Sequence, residues 1–139
     1  MPLNRDLIGK EYEETSFFVE RDRIVQFADA IGDADPRYRS EDPIAPPTFP
    51  TVIQIASGGQ VALDPELGLD YSRVVHGEQE YVADRPLRAG DRIIAKPRIA
   101  DIYARGPNEF LVVETDYADP SGSTICTGRS TLISRGTAR

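Results

Sequence analysis

The second half of the chain consists of short β-prone runs separated by turn sequences. Each turn contains the glycine that a tight reversal of the chain favours. The turns are Arg88–Asp91, Arg105–Asn108 and Asp119–Gly122. Between them, apolar and more polar residues alternate with the period of a strand that has one buried face. This pattern predicts four antiparallel strands, at Val75–Ala83, Ile93–Tyr103, Leu111–Tyr117 and Ile125–Ile133.

The first half adds one short strand and two helices. Thr15–Val19 is β-rich, and Asp22–Ile31 has apolar residues at helical spacing. The loop Asp33–Pro50 contains too many prolines for a helix or a central strand. We predict a second helix over Thr51–Leu63, with a loop broken at Gly58–Gly59 as the alternative. One apolar helix on one antiparallel sheet is a two-layer α+β domain, and 139 residues suffice for a single domain, 1–139.

Composition narrows the classes of partner and cofactor. Sixteen Lys and Arg residues against 23 Asp and Glu residues give a net charge of −7, which argues against nucleic acid as a partner. No run approaches the roughly 20 apolar residues of a membrane helix, and no signal-peptide layout opens the chain, so we expect a cytoplasmic protein without a membrane partner. A single Cys and a single His argue against a disulfide and a metal site. The sequence has no phosphate-binding loop motif, and we expect no cofactor.

The most specific motif is the segment Phe27–Tyr38, FADAIGDADPRY. It resembles the signature of the MaoC-like (R)-specific enoyl hydratase and 3-hydroxyacyl dehydratase family. In that signature, Gly-Asp is followed by any residue, Asn-Pro, an aliphatic residue and His. The chain matches it at Gly32, Asp33 and Pro36. It departs from it at three positions, where Asp35 replaces Asn, Arg37 replaces the aliphatic residue and Tyr38 replaces His.

Three further segments extend this resemblance over nearly the whole chain. Ile44–Phe49 looks like the family's loop that leads into the central helix. Leu67–Gln79 and Arg85–Asp91 resemble a single-hot-dog branch of the family, an uncharacterised group akin to accessory subunits of type II fatty-acid-synthase dehydratases. The resemblance implies a hot-dog fold, in which an antiparallel sheet wraps around a long central helix.

The resemblance also implies site residues. In the family, an Asp and a His share one water molecule, as base and acid for reversible hydration of an enoyl thioester. Asp33 supplies the carboxylate position, but Tyr38 stands at the His position, and a phenol with a pKa near 10 is a poor base at neutral pH. Asp33 and Tyr38 are therefore the candidate catalytic positions, the second of them degenerate. The alternative for Asp33 is a polar residue of a proline-rich turn.

Substrate contacts are expected from the loop before the central helix and from one arginine. The resemblance points to Pro47, Thr48, Phe49 and Arg88. Arg85, Arg88 and Arg92 cluster around one turn, where they either help to dock the phosphate of an acyl carrier or form a solvated face. His76 is expected on the strand face opposite Val75, Gly77 and Tyr81, bonded to a neighbour or facing an interface.

Three functions remain open at this point. The first is a subunit of a (3R)-hydroxyacyl thioester dehydratase that contributes acyl-chain binding and dimer surface, while a partner hot-dog chain supplies catalysis. The second is a homodimeric acyl-thioester-binding or regulatory protein without catalysis, and the third is a homodimeric hydratase or thioesterase that uses Asp33. All three take an acyl-ACP or acyl-CoA as ligand. A single sheet with exposed edges predicts a homodimer or a heterodimer, joined edge to edge or across a shared interface.

Overall fold

The computed structural model describes residues 2–57 and 59–138. Its sheet has five antiparallel strands in the order β1-β3-β4-β5-β2. The strands are β1 (Thr15–Phe18), β2 (Val74–Ala83), β3 (Arg92–Arg105), β4 (Asn108–Ala118) and β5 (Thr124–Ser134). The predicted meander is confirmed, because β3, β4 and β5 pair with their neighbours along the chain. Strand β2 pairs with β5 and forms one edge of the sheet.

Two helices precede β2. Helix α1 (Arg21–Ala30) confirms the predicted amphipathic helix and buries Ile24 and Ala28. Helix α2 (Pro50–Ala56) is shorter than predicted, since it ends well before Leu63. Gly59 has a φ of +66°, which a right-handed helix does not contain, and Gly58 lies outside the described residues. The apolar spacing beyond Ala56 therefore belongs to turns that pack against the sheet and not to a long central helix.

The main core lies between the two helices and one face of the sheet. Phe49, immediately before α2, is fully buried, and its ring meets those of Phe17 and Phe27 edge-on at 6.4 and 5.6 Å between centroids. Ile53 of α2 and Tyr117 of β4 belong to the same cluster. This packing places the start of α2 over the centre of the sheet.

A second apolar cluster joins the N-terminal segment to the sheet. It includes Leu3, Ile99 and Ile102 of β3, and Leu111 and Val113 of β4. Lys10 and Tyr12 both donate to the Asp64 carboxylate, each at 2.7 Å. These contacts, with Lys10 first, lower the pKa of Asp64 to about 2. The N-terminal segment is thereby tied to the turns that follow α2.

Strand β2 departs from simple alternation. Its register with β5 shifts between His76 and Glu78, so that His76 pairs with Leu132 and Tyr81 pairs with Gly128. Residues 132 and 128 lie on the same face of β5, because they are an even number of positions apart. The prediction that His76 faces away from Tyr81 is therefore wrong, and the bulge at Gly77 is the reason. The His76 Nε2 atom lies 2.9 Å from the carbonyl oxygen of Glu78.

Candidate functional site

The loop after α1 folds through local side-chain contacts. Gly32 has a φ of +72°, a conformation that glycine adopts without strain and that turns the chain out of the helix. The Asp33 carboxylate accepts a hydrogen bond from the Asp35 backbone N–H at 3.0 Å, and that of Asp35 accepts one from the Arg37 N–H at 2.9 Å. Both aspartates thus act as turn-forming residues. They lead into a short 3-10 turn at Pro36–Tyr38.

Arg39 holds this loop against α1. Its guanidinium donates to the Asp29 carboxylate at 2.6 Å and to the backbone carbonyls of Asp33 and Asp35 at 2.7 and 3.0 Å. Arg21 in turn donates to the carbonyl of Arg39 at 2.8 Å. Sequence analysis missed this role, because nothing in the spacing of the arginines shows that carbonyl groups converge on one of them.

Tyr38 is buried, with only 6% of its surface exposed, and lines a cleft of about 360 Å³. The walls of the cleft are largely apolar and come from the proline-rich loop, from the end of β2 and the segment after it, and from Cys126 of β5. They include Ile44, Pro46, Pro47, Pro50, Leu87 and Cys126. Arg37, Asp84 and Arg85 supply its charged groups. The cleft therefore joins an apolar interior to a polar edge.

Both arginines of the cleft are paired with aspartates. Arg37 lies 2.7 Å from Asp35, and its hydrogen bonds lower the pKa of that carboxyl. Arg85 binds both oxygens of Asp91, at 2.8 and 3.2 Å. Burial raises the pKa of the Cys126 thiol to about 11, so the thiol stays protonated at neutral pH. A guanidinium can exchange an aspartate for a phosphate, because both are oxyanions of matching geometry.

The structure brings some of the predicted site residues together and separates others. Tyr38 and Pro47 share the cleft, whereas Asp33, Thr48, Phe49 and Arg88 are not among its described lining residues. Thr48 is exposed and Phe49 lies in the core. The Arg88 side chain is exposed, and its backbone N–H donates to Asp91 at 2.8 Å. Asp33 is linked to the cleft through its neighbour, because its carboxylate accepts from the N–H of Asp35, whose own carboxylate binds Arg37 on the cleft wall.

A second, smaller cavity of about 90 Å³ lies between the end of α2 and the sheet. Its apolar wall includes Val61, Ala62, Ala95, Pro97, Val113 and Leu132. A polar strip crosses it, in which Gln54 donates to Ser130 at 3.3 Å and Ser130 donates to Gln79 at 2.6 Å. The sequence carried a signal for this cavity, because the small residues after Ile55 leave space above the sheet.

Comparison with known proteins identifies the family. Residues 6–128 match the family model described as the FAS1-like, dehydratase domain region. The chain belongs to this FAS1-like dehydratase family. A UPF0336 protein of Saccharopolyspora erythraea is 43% identical over 99% of this chain and 95% of its own length.

Solved structures confirm the predicted hot-dog architecture of this family member. The C-terminally truncated HadBC complex, a 3R-hydroxyacyl-ACP dehydratase of Mycobacterium tuberculosis, superimposes with a TM-score of 0.81 and 23% identity, over 92% of this chain and 97% of that one. A MaoC-like dehydratase of Phytophthora capsici gives a TM-score of 0.81 with 19% identity, over 99% of this chain and 52% of that longer chain. Within the described residues, no helix has the length and apolarity needed to cross a bilayer.

Proposed function

We propose that this chain is the accessory subunit of a (3R)-hydroxyacyl thioester dehydratase. In this role it binds the acyl substrate and supplies dimer surface, while a second hot-dog chain with an intact Asp-and-His motif carries out the dehydration. The observation that carries the proposal is the buried Tyr38 on the wall of an apolar cleft. In the sequence motif, Tyr38 stands where the resemblance would place a His.

The chemistry of the cleft supports binding without catalysis. Dehydration needs one group that accepts a proton and one that donates it near neutral pH. Burial keeps the Cys126 thiol protonated at neutral pH, and a phenol is a poor base there, so neither Cys126 nor Tyr38 suits the role of the base. The Asp33 carboxylate accepts a backbone hydrogen bond within its own turn.

The two cavities suit the two halves of an acyl thioester. Arg37 and Arg85 on the larger cleft match the phosphate of a phosphopantetheine group, and its proline-rich walls match the apolar stem. The smaller cavity under α2 has a small volume and a mostly apolar lining, which suits the end of an acyl chain. Acyl-ACP and acyl-CoA share the phosphopantetheine group, so both are ligands of the class proposed.

The test is an assay of enoyl thioester hydration by the purified chain, alone and mixed with a hot-dog subunit from the same organism that carries Gly-Asp-x-Asn-Pro-x-His. Crotonyl-CoA and longer enoyl thioesters are the substrates. We expect no turnover by the chain alone, and in the mixture we expect activity on longer chains that the catalytic subunit lacks by itself. A kcat near 10 per second for the homogeneous chain, about the median for enzymes, would refute the proposal.

Two matched variants ask whether the cavity under α2 sets chain length. Ala62 lines this cavity, so Ala62→Leu should shift the activity of the complex towards shorter acyl chains. Ala56→Leu is the control, because Ala56 is exposed at the end of α2 and is not among the described lining residues. Equal chain-length profiles for the two variants would show that the acyl tail lies elsewhere. Ligand binding without turnover in any mixture would instead favour the binding or regulatory alternative.

A further inference from the structure

The cleft beside Tyr38 and the cavity under α2 lie one after the other along the sheet. On β5, Cys126 lines the cleft and Ser130 lines the cavity. These two residues are four positions apart in a regular part of the strand, so they share one face. Gly128 lies midway between them on that face, and it is not among the described lining residues of either space. The region above Gly128 therefore separates the cleft from the cavity.

Strand β2 repeats this order. Ala83 lines the cleft, whereas Gln79 accepts a hydrogen bond of 2.6 Å from Ser130 at the cavity. Tyr81 lies midway between them and pairs with Gly128. The bulge at Gly77 lies outside this stretch, so residues 79, 81 and 83 keep one face. Tyr81 therefore belongs to the same boundary as Gly128.

Helix α2 shows the same order above the sheet. Pro50 lines the cleft and Gln54 lines the cavity. Thr51 comes between them along the helix, and its hydroxyl lies 2.6 Å from that of Tyr81. The contact between Thr51 and Tyr81 thus joins the helix to the sheet at the boundary between the two spaces.

Two tyrosine rings close this boundary. A Cβ atom on Gly128 would lie 3.0 Å from the Tyr81 ring and 3.1 Å from the Tyr117 ring. Carbon atoms in favourable contact are about 3.5–4.0 Å apart, so the carbon of an acyl chain does not fit between the rings over Gly128. Towards the helix, the hydrogen bond between Tyr81 and Thr51 closes the remaining gap. In this conformation an acyl chain in the cleft cannot reach the cavity.

The two tyrosines differ in their freedom to move. Tyr117 lies in the middle of the sheet and is fully buried. Its hydroxyl has no hydrogen-bond partner within the described part of the chain, which is costly for a buried polar group unless a ligand supplies the partner. Tyr81 is only half-buried and lies on an edge strand. Tyr81 is therefore the ring that can turn aside, whereas Tyr117 is a fixed wall.

We propose that Tyr81 is a gate that selects acyl chains by length, and that Thr51 holds it closed. A short acyl chain ends in the cleft and binds without any movement of the gate. A longer chain enters the cavity only after the hydrogen bond between Tyr81 and Thr51 breaks and the ring turns away from Gly128. The affinity for a long chain is then reduced by the fraction of molecules in which the gate is open. This inference rests on the proposed function, because it takes an acyl thioester as the ligand of the cleft.

The test is calorimetric titration of the purified chain with butyryl-CoA and with lauroyl-CoA. Thr51→Val and Tyr81→Phe each remove the hydrogen bond and keep the ring in place. Since one neutral hydrogen bond changes an equilibrium constant by about two- to tenfold, we expect each variant to bind lauroyl-CoA more tightly by that factor. The affinity for butyryl-CoA should stay the same. The double variant should bind lauroyl-CoA no more tightly than either single variant, because both substitutions remove the same bond.

Tyr103→Phe is the matched control. It removes the hydroxyl of another half-buried tyrosine, which is not among the described lining residues of either space, and both affinities should equal those of the unaltered chain. Any other pattern would refute the gate alone: equal changes for the two thioesters, no tightening of lauroyl-CoA binding, or additive effects in the double variant. An unaltered chain that binds neither thioester would refute the proposed function, and the gate with it.

Discussion

Replacing Arg39 by alanine should destabilise the protein through the loop that carries Tyr38. The guanidinium donates three hydrogen bonds, to one carboxylate and two backbone carbonyls, over 2.6–3.0 Å. A hydrogen bond to a charged group contributes about 1.5–3 kcal/mol. The Arg39 side chain is 30% exposed, so water replaces part of what is lost. We therefore expect Arg39→Ala to lower the free energy of unfolding by about 2 kcal/mol.

Urea denaturation measures this change. With a slope of about 2 kcal/mol per molar, a loss of that size moves the midpoint by roughly 1 M. Arg37→Ala is the matched control, because Arg37 is two residues away, is 69% exposed and binds only the Asp35 carboxylate. Its midpoint should stay close to that of the unaltered protein.

Chymotrypsin provides a local measurement of the same effect, because it cleaves after Tyr38 only when the loop opens. Cleavage at this bond should be faster in Arg39→Ala than in Arg37→Ala. If the two variants had the same urea midpoint and the same cleavage rate, the view that Arg39 holds the loop would be wrong.

Four further predictions concern the site and the core. Tyr38→His should give the isolated chain measurable enoyl hydration, at a rate about ten- to a hundredfold above that of the unaltered chain. An unchanged hydration rate in a folded variant would mean that position 38 is not the place of the family's His. Phe49→Ala should cost about 3–5 kcal/mol in urea unfolding, whereas Phe18→Ala, at a ring 47% exposed, should cost much less, and similar losses would contradict the assignment of Phe49 to the core. Because the pKa of Asp64 is lowered to about 2, the stability that its carboxylate contributes is complete above the unfolded pKa of about 4 and disappears as the pH falls towards 2. Between about pH 4 and about pH 2, Asp64→Asn should therefore lose less of its free energy of unfolding than the unaltered protein does. The same acid-induced loss in both proteins would argue against the contact. Cys126 should react with a thiol reagent at pH 8 only after denaturation, because burial raises its pKa to about 11, and rapid reaction of the native protein would contradict this.

The sequence alone was sufficient for the elements whose pattern is local. Alternation with a period of two and glycine-containing turns identified β3, β4 and β5, and helical spacing identified α1. The motif at Phe27–Tyr38, together with the runs in Leu67–Gln79 and Arg85–Asp91, was sufficient for the family, because such motifs depend on residue order. It also located Tyr38, which the structure places on a cleft wall together with Pro47.

Other features depended on contacts between distant parts of the chain. The end of α2 at Ala56 was not predicted, since the apolar spacing up to Leu63 is satisfied equally well by turns that pack on the sheet. The predicted face of His76 was wrong, because a bulge reverses which residues of a strand share a face. Only the pairing with β5 reveals this bulge. The role of Arg39 required carbonyl groups that converge in space. Local periodicity determines which elements form, whereas the extent of α2, the parity of β2 and the lining of the cleft follow from packing that couples residues far apart in the sequence.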